Sequence, residues 1–323
     1  MLDKHRPHLA SITGFRGKNL GPLKGFSSLF LVMVSPPTHV LPTLTRLKQL
    51  FSRRHLSLVA AAALAISIGT QWPASAGTRT AHVGVANTQF QLTIGTPDPT
   101  ETSAYAPPAA NALSGYAQSY VTNFAGTALP AGWDVFTGIP GGDPGGHFGA
   151  SHVVVGNGML SLNTFRDPAW NNSWVTGGVC QCGVSHKYAA YFVRSRVTGA
   201  GPTEVELLWP IGNQWPPEID FNETGGSITS TTSSVHFGAT NHIVPRRVVI
   251  NMTLWHTWGV IWTPSEVIYT VDGRIWGEFA NTQDISSTPM TLDLEQRQEC
   301  QENRQCPTSP ESMQINWVAE YSK

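Results

Sequence analysis

Past residue 119 the chain shows no apolar stripe at helical spacing. It shows short runs of β-formers cut by turn residues, and that punctuation limits the folds open to it. Val153–Val155 and Met159–Leu162 flank Gly156-Asn157-Gly158, and Val267–Val271 and Arg274–Phe279 flank Asp272-Gly273, both hairpin signatures. Tyr188–Val197, Glu204–Trp209, Val235–Gly238, Val248–Met252, Trp255–Trp262, Met290–Gln296 and Met313–Val318 read as further strands. Strands this short must stack a face on another sheet to bury it, which predicts an all-β sandwich or barrel. Trp258, Val260 and Trp262 share one face and mark the core.

One strand carries chemistry. Pro217-Glu218-Ile219-Asp220-Phe221-Asn222-Glu223-Thr224 places three carboxylates within six residues of a chain that is only 13% charged. Side chains on a strand alternate, so Glu218 and Asp220 share a face while Ile219 and Phe221 point into the core. Glu223, five positions from Glu218, should face the wrong way. A β-bulge inserts one extra residue and returns it to the carboxylate face, so a bulge is expected here. With the bulge counted out the glutamates are four strand steps apart, roughly 13 Å, a gap their side chains can largely close by leaning together. Two such carboxyls, about 5–5.5 Å apart, are what retaining glycosidases use, one as nucleophile and one as acid and then base. Asp220 between them would repel a second negative charge and bond whichever carboxyl carries the proton. The alternative is a solvated acidic edge.

The surroundings separate these readings. Glu-x-Asp-x-x-Glu follows Leu207-Leu208-Trp209-Pro210 and Trp215-Pro216-Pro217. In order along the chain stand Asn123-Phe124-Ala125-Gly126 with Gly132-Trp133, Asn157–Leu162, Trp255-His256-Thr257-Trp258, Trp262-Thr263-Pro264, Val271-Asp272-Gly273 and Met313–Val318. Over roughly residues 120–322 this resembles glycoside hydrolase family 16, in its β-bulged branch. The resemblance implies a jelly-roll sandwich of two antiparallel sheets with a concave cleft, and an endo-acting retaining hydrolase. It implies Glu218 as nucleophile, Glu223 as acid and base, and Asp220 as the group that holds the pair. The implied substrate is a β-linked polysaccharide, β-1,3-glucan first, with galactans such as agarose or carrageenan as alternatives. A transglycosylase or a non-catalytic carbohydrate-binding module on the same sandwich are the rival functions.

Around the carboxylates, Trp215, Trp209, His236 and Trp174 are the candidate substrate-binding residues. Trp215 and Trp209 bracket the loop before the acidic strand, and core packing competes for both. His236 is in the segment where relatives place a histidine. Trp170 and Trp174, with Asn171 and Asn172, suit a cleft rim. Glu295 is expected at the surface. No cofactor or catalytic metal is expected. Some relatives hold a structural calcium with an Asp in the last strand, and Asn316 stands at the matching place here, so a calcium is left unassigned.

The chain has 323 residues and a net charge of −1, which favours neither nucleic acid nor an anionic membrane as partner. Residues 1–76 read as an N-terminal lead and signal peptide: Arg53-Arg54, an apolar run from Leu56 to Ile68, and Ala74-Ser75-Ala76 for cleavage. A twin-arginine route is one reading, a membrane anchor the alternative, and Met33 an alternative start. Residues 77–118, rich in Thr, Ala and Pro, read as a linker, with 83–94 able to dock as a strand, and 119–323 as the catalytic domain. A secreted monomer that is free of the membrane after cleavage is expected. Secretion suits the four cysteines, Cys180, Cys182, Cys300 and Cys306, as disulfides rather than a metal site. Three pairings are open, with Cys300–Cys306 the first expectation.

Overall fold

The computed structural model describes residues 94–300 and 306–323. The expected leader and the strand expected at 83–94, Ile94 apart, lie outside the described residues. The strands are β1 (Thr96–Pro97), β2 (Tyr105–Ala106), β3 (Ala117–Thr122), β4 (Asp134–Val135), β5 (Val153–Gly156), β6 (Met159–Asp167), β7 (Ser173–Val175), β8 (Gly178–Cys180) and β9 (Ala189–Val197). They continue as β10 (Thr203–Pro210), β11 (Glu218–Glu223), β12 (Ser230–Phe237), β13 (His242–Val249), β14 (His256–Trp262), β15 (Val267–Val271), β16 (Arg274–Phe279), β17 (Met290–Arg297) and β18 (Glu311–Ser322). Short 3-10 turns are the only helical elements among the described residues.

Two antiparallel sheets form a jelly-roll sandwich. One runs β13-β12-β11-β10-β17-β8-β4, the other β16-β15-β14-β9-β18-β6-β5, with β3 added on β18 and β7 on β6. The acidic strand β11 is near the middle of the first sheet, so neighbours on both sides hold its backbone. Both hairpins form as read. Asn157-Gly158 and Asp272-Gly273 adopt positive φ at both central residues, the geometry that matches the twist of the flanking strands.

The core lies between the sheets. Leu208, Ile219, Phe221, Val235 and Leu292 from the first meet Leu160, Tyr191, Val193, Trp258, Val260, Trp262 and Met313 from the second. Trp258 and Trp262 are fully buried. Each large apolar side chain removed from water contributes about 1.5–3 kcal/mol, and Ile219 and Phe221 thereby anchor the back of the carboxylate strand.

Two expectations are corrected. Residues 94–118, expected as linker, cover the outer face of the second sheet. Ala112, Leu113 and Tyr116 pack on Phe192, Ile261, Trp317 and Tyr321. The Trp317 indole N–H donates to the Tyr105 carbonyl at 2.9 Å, and the Tyr321 hydroxyl to the Ala109 carbonyl at 2.9 Å. The apolar alternation of β9, β14 and β18 on both faces is the physical reason: a sheet with two apolar faces needs a second cover. The strand expected at 248–252 is β13 at His242–Val249, a mostly exposed edge strand with Pro245 inside it. Its polar sequence hides it, as edges tolerate Pro and charge.

Candidate active site

The bulge is visible from both sides of β11. Against β12, Asp220 pairs with Ser234 and Glu223 with Thr232, so that Phe221 and Asn222 together face Ser233. Against β10, Asp220 pairs with Leu207 and Asn222 with Glu206, again one residue too many on β11. Ser234 and Thr232 share a face of β12, so Glu223 returns to the side of Asp220, while Ile219 and Phe221 stay in the core. Glu218 and Asp220 are buried and Glu223 is half-buried.

Each carboxylate has a built setting. The Trp215 indole N–H donates to Glu218 Oε2 at 2.7 Å. Ser234, across from Asp220, donates its hydroxyl to Asp220 Oδ2 at 2.8 Å. His236, the β12 partner of Glu218, brings Nε2 to 3.1 Å from Asp220 Oδ2 and Nδ1 to 4.0 Å from Glu218 Oε2. Its Nδ1 also lies 2.9 Å from the Asn241 side-chain oxygen.

Of the aromatic candidates, the structure brings Trp215 and Trp209 to this face. Trp215 tilts against His236 with ring centroids 5.9 Å apart. Trp209 is buried beneath it with Val205 and Leu207, its N–H held by Asn213 at 3.0 Å, as floor rather than rim. Beside Trp215 a depression of about 490 Å³ opens, lined by Pro217, Phe237, Gln283, Asp284 and Ile285 among others. Trp174 is not brought to the carboxylates. β7 pairs it with Arg166 on β6, whose guanidinium lies 4.8 Å over the indole, and it borders a separate depression with Phe165 and Pro307. Trp170 stacks on His147 at 4.3 Å.

The strand expected at Met290–Gln296 forms as β17, but its acids belong to the site, which was not expected. Its Asp293 is paired with Leu207 and its Glu295 with Val205, which places both on the carboxylate face. Arg297 follows on the same side, buried, with Glu295 3.6 Å from its guanidinium and the Gly141 carbonyl accepting a hydrogen bond. Burial pushes the Arg297 guanidinium down, but the charges of Glu295, Glu299, Asp143 and Glu218 outweigh it and hold it above its ordinary value. Glu295 is therefore buried, contrary to the surface position expected. The period-two run Asp293-x-Glu295-x-Arg297 was the available signal.

The ligand atoms of Glu218, Asp220 and His236 converge within 4.8 Å, each already bonded to Trp215, Ser234 or Asn241. Asp134 approaches Cys180 and Cys182, but those sulfurs are joined to each other, as Cys300 is to Cys306. At the candidate calcium position, Asn316 donates its amide N–H to the Gly158 carbonyl at 2.8 Å and to Glu101 Oε2 at 3.2 Å. Its oxygen accepts from the Ser103 hydroxyl at 2.5 Å. The amide hydrogens point at the oxygens that a cation would need, so these residues as arranged do not fit calcium.

A jelly-roll sandwich with a bulged row of three carboxylates on one face, floored by tryptophans, defines the class of sandwich glycosidases. The family model described as glycosyl hydrolases family 16 matches residues 147–319, more than half of the chain, and the chain belongs to that family. It is a glycosidase that hydrolyses O-glycosyl bonds. Among solved structures it is similar to the laminarinase from Rhodothermus marinus, at 19% identity and a TM-score of 0.57 over 64% of this chain and 97% of that one. The endo-beta-1,3-glucanase from Pyrococcus furiosus gives 18% and 0.55, over 64% and 94%. A structure reported with endo-acting O-glycanases of human gut microbiota that initiate mucin breakdown gives 18% and 0.56, over 65% and 91%. At these identities the likeness is one of fold. No curated protein matches the sequence.

Proposed function

We propose that the protein is an exported, endo-acting, retaining glycosidase that cleaves a neutral β-linked glucan, β-1,3-glucan first. The observation that carries this reading is the β-bulge, which turns Glu218, Asp220 and Glu223 to one face of β11. In the first step the Glu218 carboxylate attacks the anomeric carbon, and the glycosidic C–O bond breaks as Glu223 gives its proton to the leaving oxygen. In the second, Glu223 takes a proton from water, whose oxygen displaces Glu218 from the same carbon. The configuration is retained because each step inverts it. The Trp215 N–H fixes the orientation of Glu218, and Asp220, bonded by Ser234 and His236, lies between the two glutamates.

The face also supports a neutral substrate. Glu218, Asp220, Glu223, Asp293 and Glu295 share it with His236, Arg247 and Arg297 as the basic groups. Excess negative charge repels sulfated galactans and leaves neutral glucans unaffected. The names of the laminarinase and glucanase neighbours agree with that choice. Export rests on the residues before Gly77, which have the composition of a signal peptide.

The test is reducing-end release from laminarin, mixed-linkage glucan, agarose, carrageenan and mucin glycans, with Glu218→Gln in parallel. Release from laminarin that the variant loses is the expected result. Binding without cleavage of any polymer would replace the hydrolase by a binding module, and longer products without new reducing ends by a transglycosylase.

A further inference from the structure

Behind the bulge, on the core side of β10, are two glutamates that the hydrolytic mechanism does not use. Glu204 and Glu206 are both fully buried between the sheets. Ser195 of β9 approaches both: its Oγ is 2.9 Å from Glu204 Oε1 and 2.5 Å from Glu206 Oε1. A hydroxyl has one hydrogen and can donate only one of these bonds. The other must be supplied by a carboxylic acid, so the geometry requires at least one proton on the pair. The natural chain runs from a Glu206 acid to the Ser195 oxygen and from the Ser195 hydroxyl to the Glu204 carboxylate, which gives the shorter contact to the acid donor.

The pair lies against the bulge. Glu206 is the β10 partner of Asn222, the residue before Glu223. Asn222 is fully buried, and its oxygen accepts from the Thr231 hydroxyl at 2.6 Å. That bond fixes the amide, whose N–H groups face the two carboxyls without closing to a regular hydrogen bond. The groups that surround the pair are Ser195 from β9, Asn222 from β11, Thr231 from β12, Gln296 from β17 and His256 from β14. Among them only His256 is an ionisable side chain, and it is held by Asp272 at 2.7 Å.

We propose that Glu204 and Glu206 are a one-proton carboxyl pair that seats Asn222 and so positions Glu223 on the opposite face. The role assigned to Glu223 rests on the reading above; the proton on the pair does not. Burial pushes the Glu204 carboxyl up to about 7, and burial together with the charge of Glu204 pushes Glu206 well above the ordinary range. An acid whose folded pKa is raised keeps its proton while the unfolded chain loses it. Stability is then full below the ordinary glutamate range and falls as pH rises through the folded value. Above it, two charges share a dry site beside Asn222, and the bulge is disturbed.

The experiment compares the wild type with Glu206→Gln, Glu204→Gln and Glu206→Ala. Thermal midpoints are followed from pH 5 to pH 8, and kcat and KM are measured on laminarin. A glutamine matches the neutral acid and cannot ionise. At least one Gln variant is expected to flatten the fall of the midpoint with pH, unfolding about 4 °C or more above the wild type at pH 8. That variant is expected to keep kcat within about threefold, while Glu206→Ala loses tenfold or more in kcat with KM unchanged. A wild-type slope that survives in both Gln variants overturns the shared proton. Equal kcat losses in Glu206→Gln and Glu206→Ala overturn the positioning role. The thermal slope needs no substrate, so an inactive protein that shows it would sink the hydrolase reading and leave the pair standing.

Discussion

At the scale of single residues, the chemistry concentrates on Glu218 and Glu223, and their loss has different consequences from that of their neighbours. Glu218→Gln and Glu223→Gln should each lower kcat on laminarin by about 10³-fold or more with little change in melting temperature, measured by reducing-end assay and calorimetry. Trp215→Phe keeps the ring and deletes the N–H that reaches Glu218. A hydrogen bond to a charged group contributes about 1.5–3 kcal/mol, so kcat should fall roughly 10- to 100-fold. Asn316 makes the opposite kind of prediction. Its amide ties Glu101, Gly158 and Ser103 together, so the wild-type melting temperature should not respond to EDTA. Asn316→Asp sets a second carboxylate beside Glu101, and its melting temperature should drop in EDTA and recover with calcium.

At the scale of elements, β11 and β17 divide the site. The three carboxylates of β11 were legible because Glu-x-Asp-x-x-Glu lies between turn residues, and its period is wrong for a regular strand by one residue. The bulge follows from that count. The role of β17 was not legible. Asp293 and Glu295 reach the carboxylate face only because β17 crosses from late in the sequence to pair with β10, and no local pattern announces that pairing. Arg297 should hold this strand's acids together. Arg297→Met leaves Glu295, Glu299 and Asp143 facing one another, and breaking a buried pair costs about 3–5 kcal/mol. Chemical denaturation should register a loss of that size.

At the scale of the whole molecule, the second sheet is apolar on both faces, and the segment 94–118 is its outer cover. Deleting residues up to 116 should expose Phe192, Ile261 and Trp317, lower the melting temperature and raise binding of an apolar dye, read by fluorescence. The all-β class, both type I′ hairpins, the core face of β14 and the bulged carboxylate row were legible along the chain. All of these rest on local periodicity and turn chemistry, which act over a few residues. The tertiary structure alone decided which carboxyls meet. It brought Ser195 of β9 to Glu204 and Glu206, β17 to β10, and residues 94–118 to the outer sheet. Those meetings depend on sheet order and on which faces must leave water, and a linear pattern carries neither.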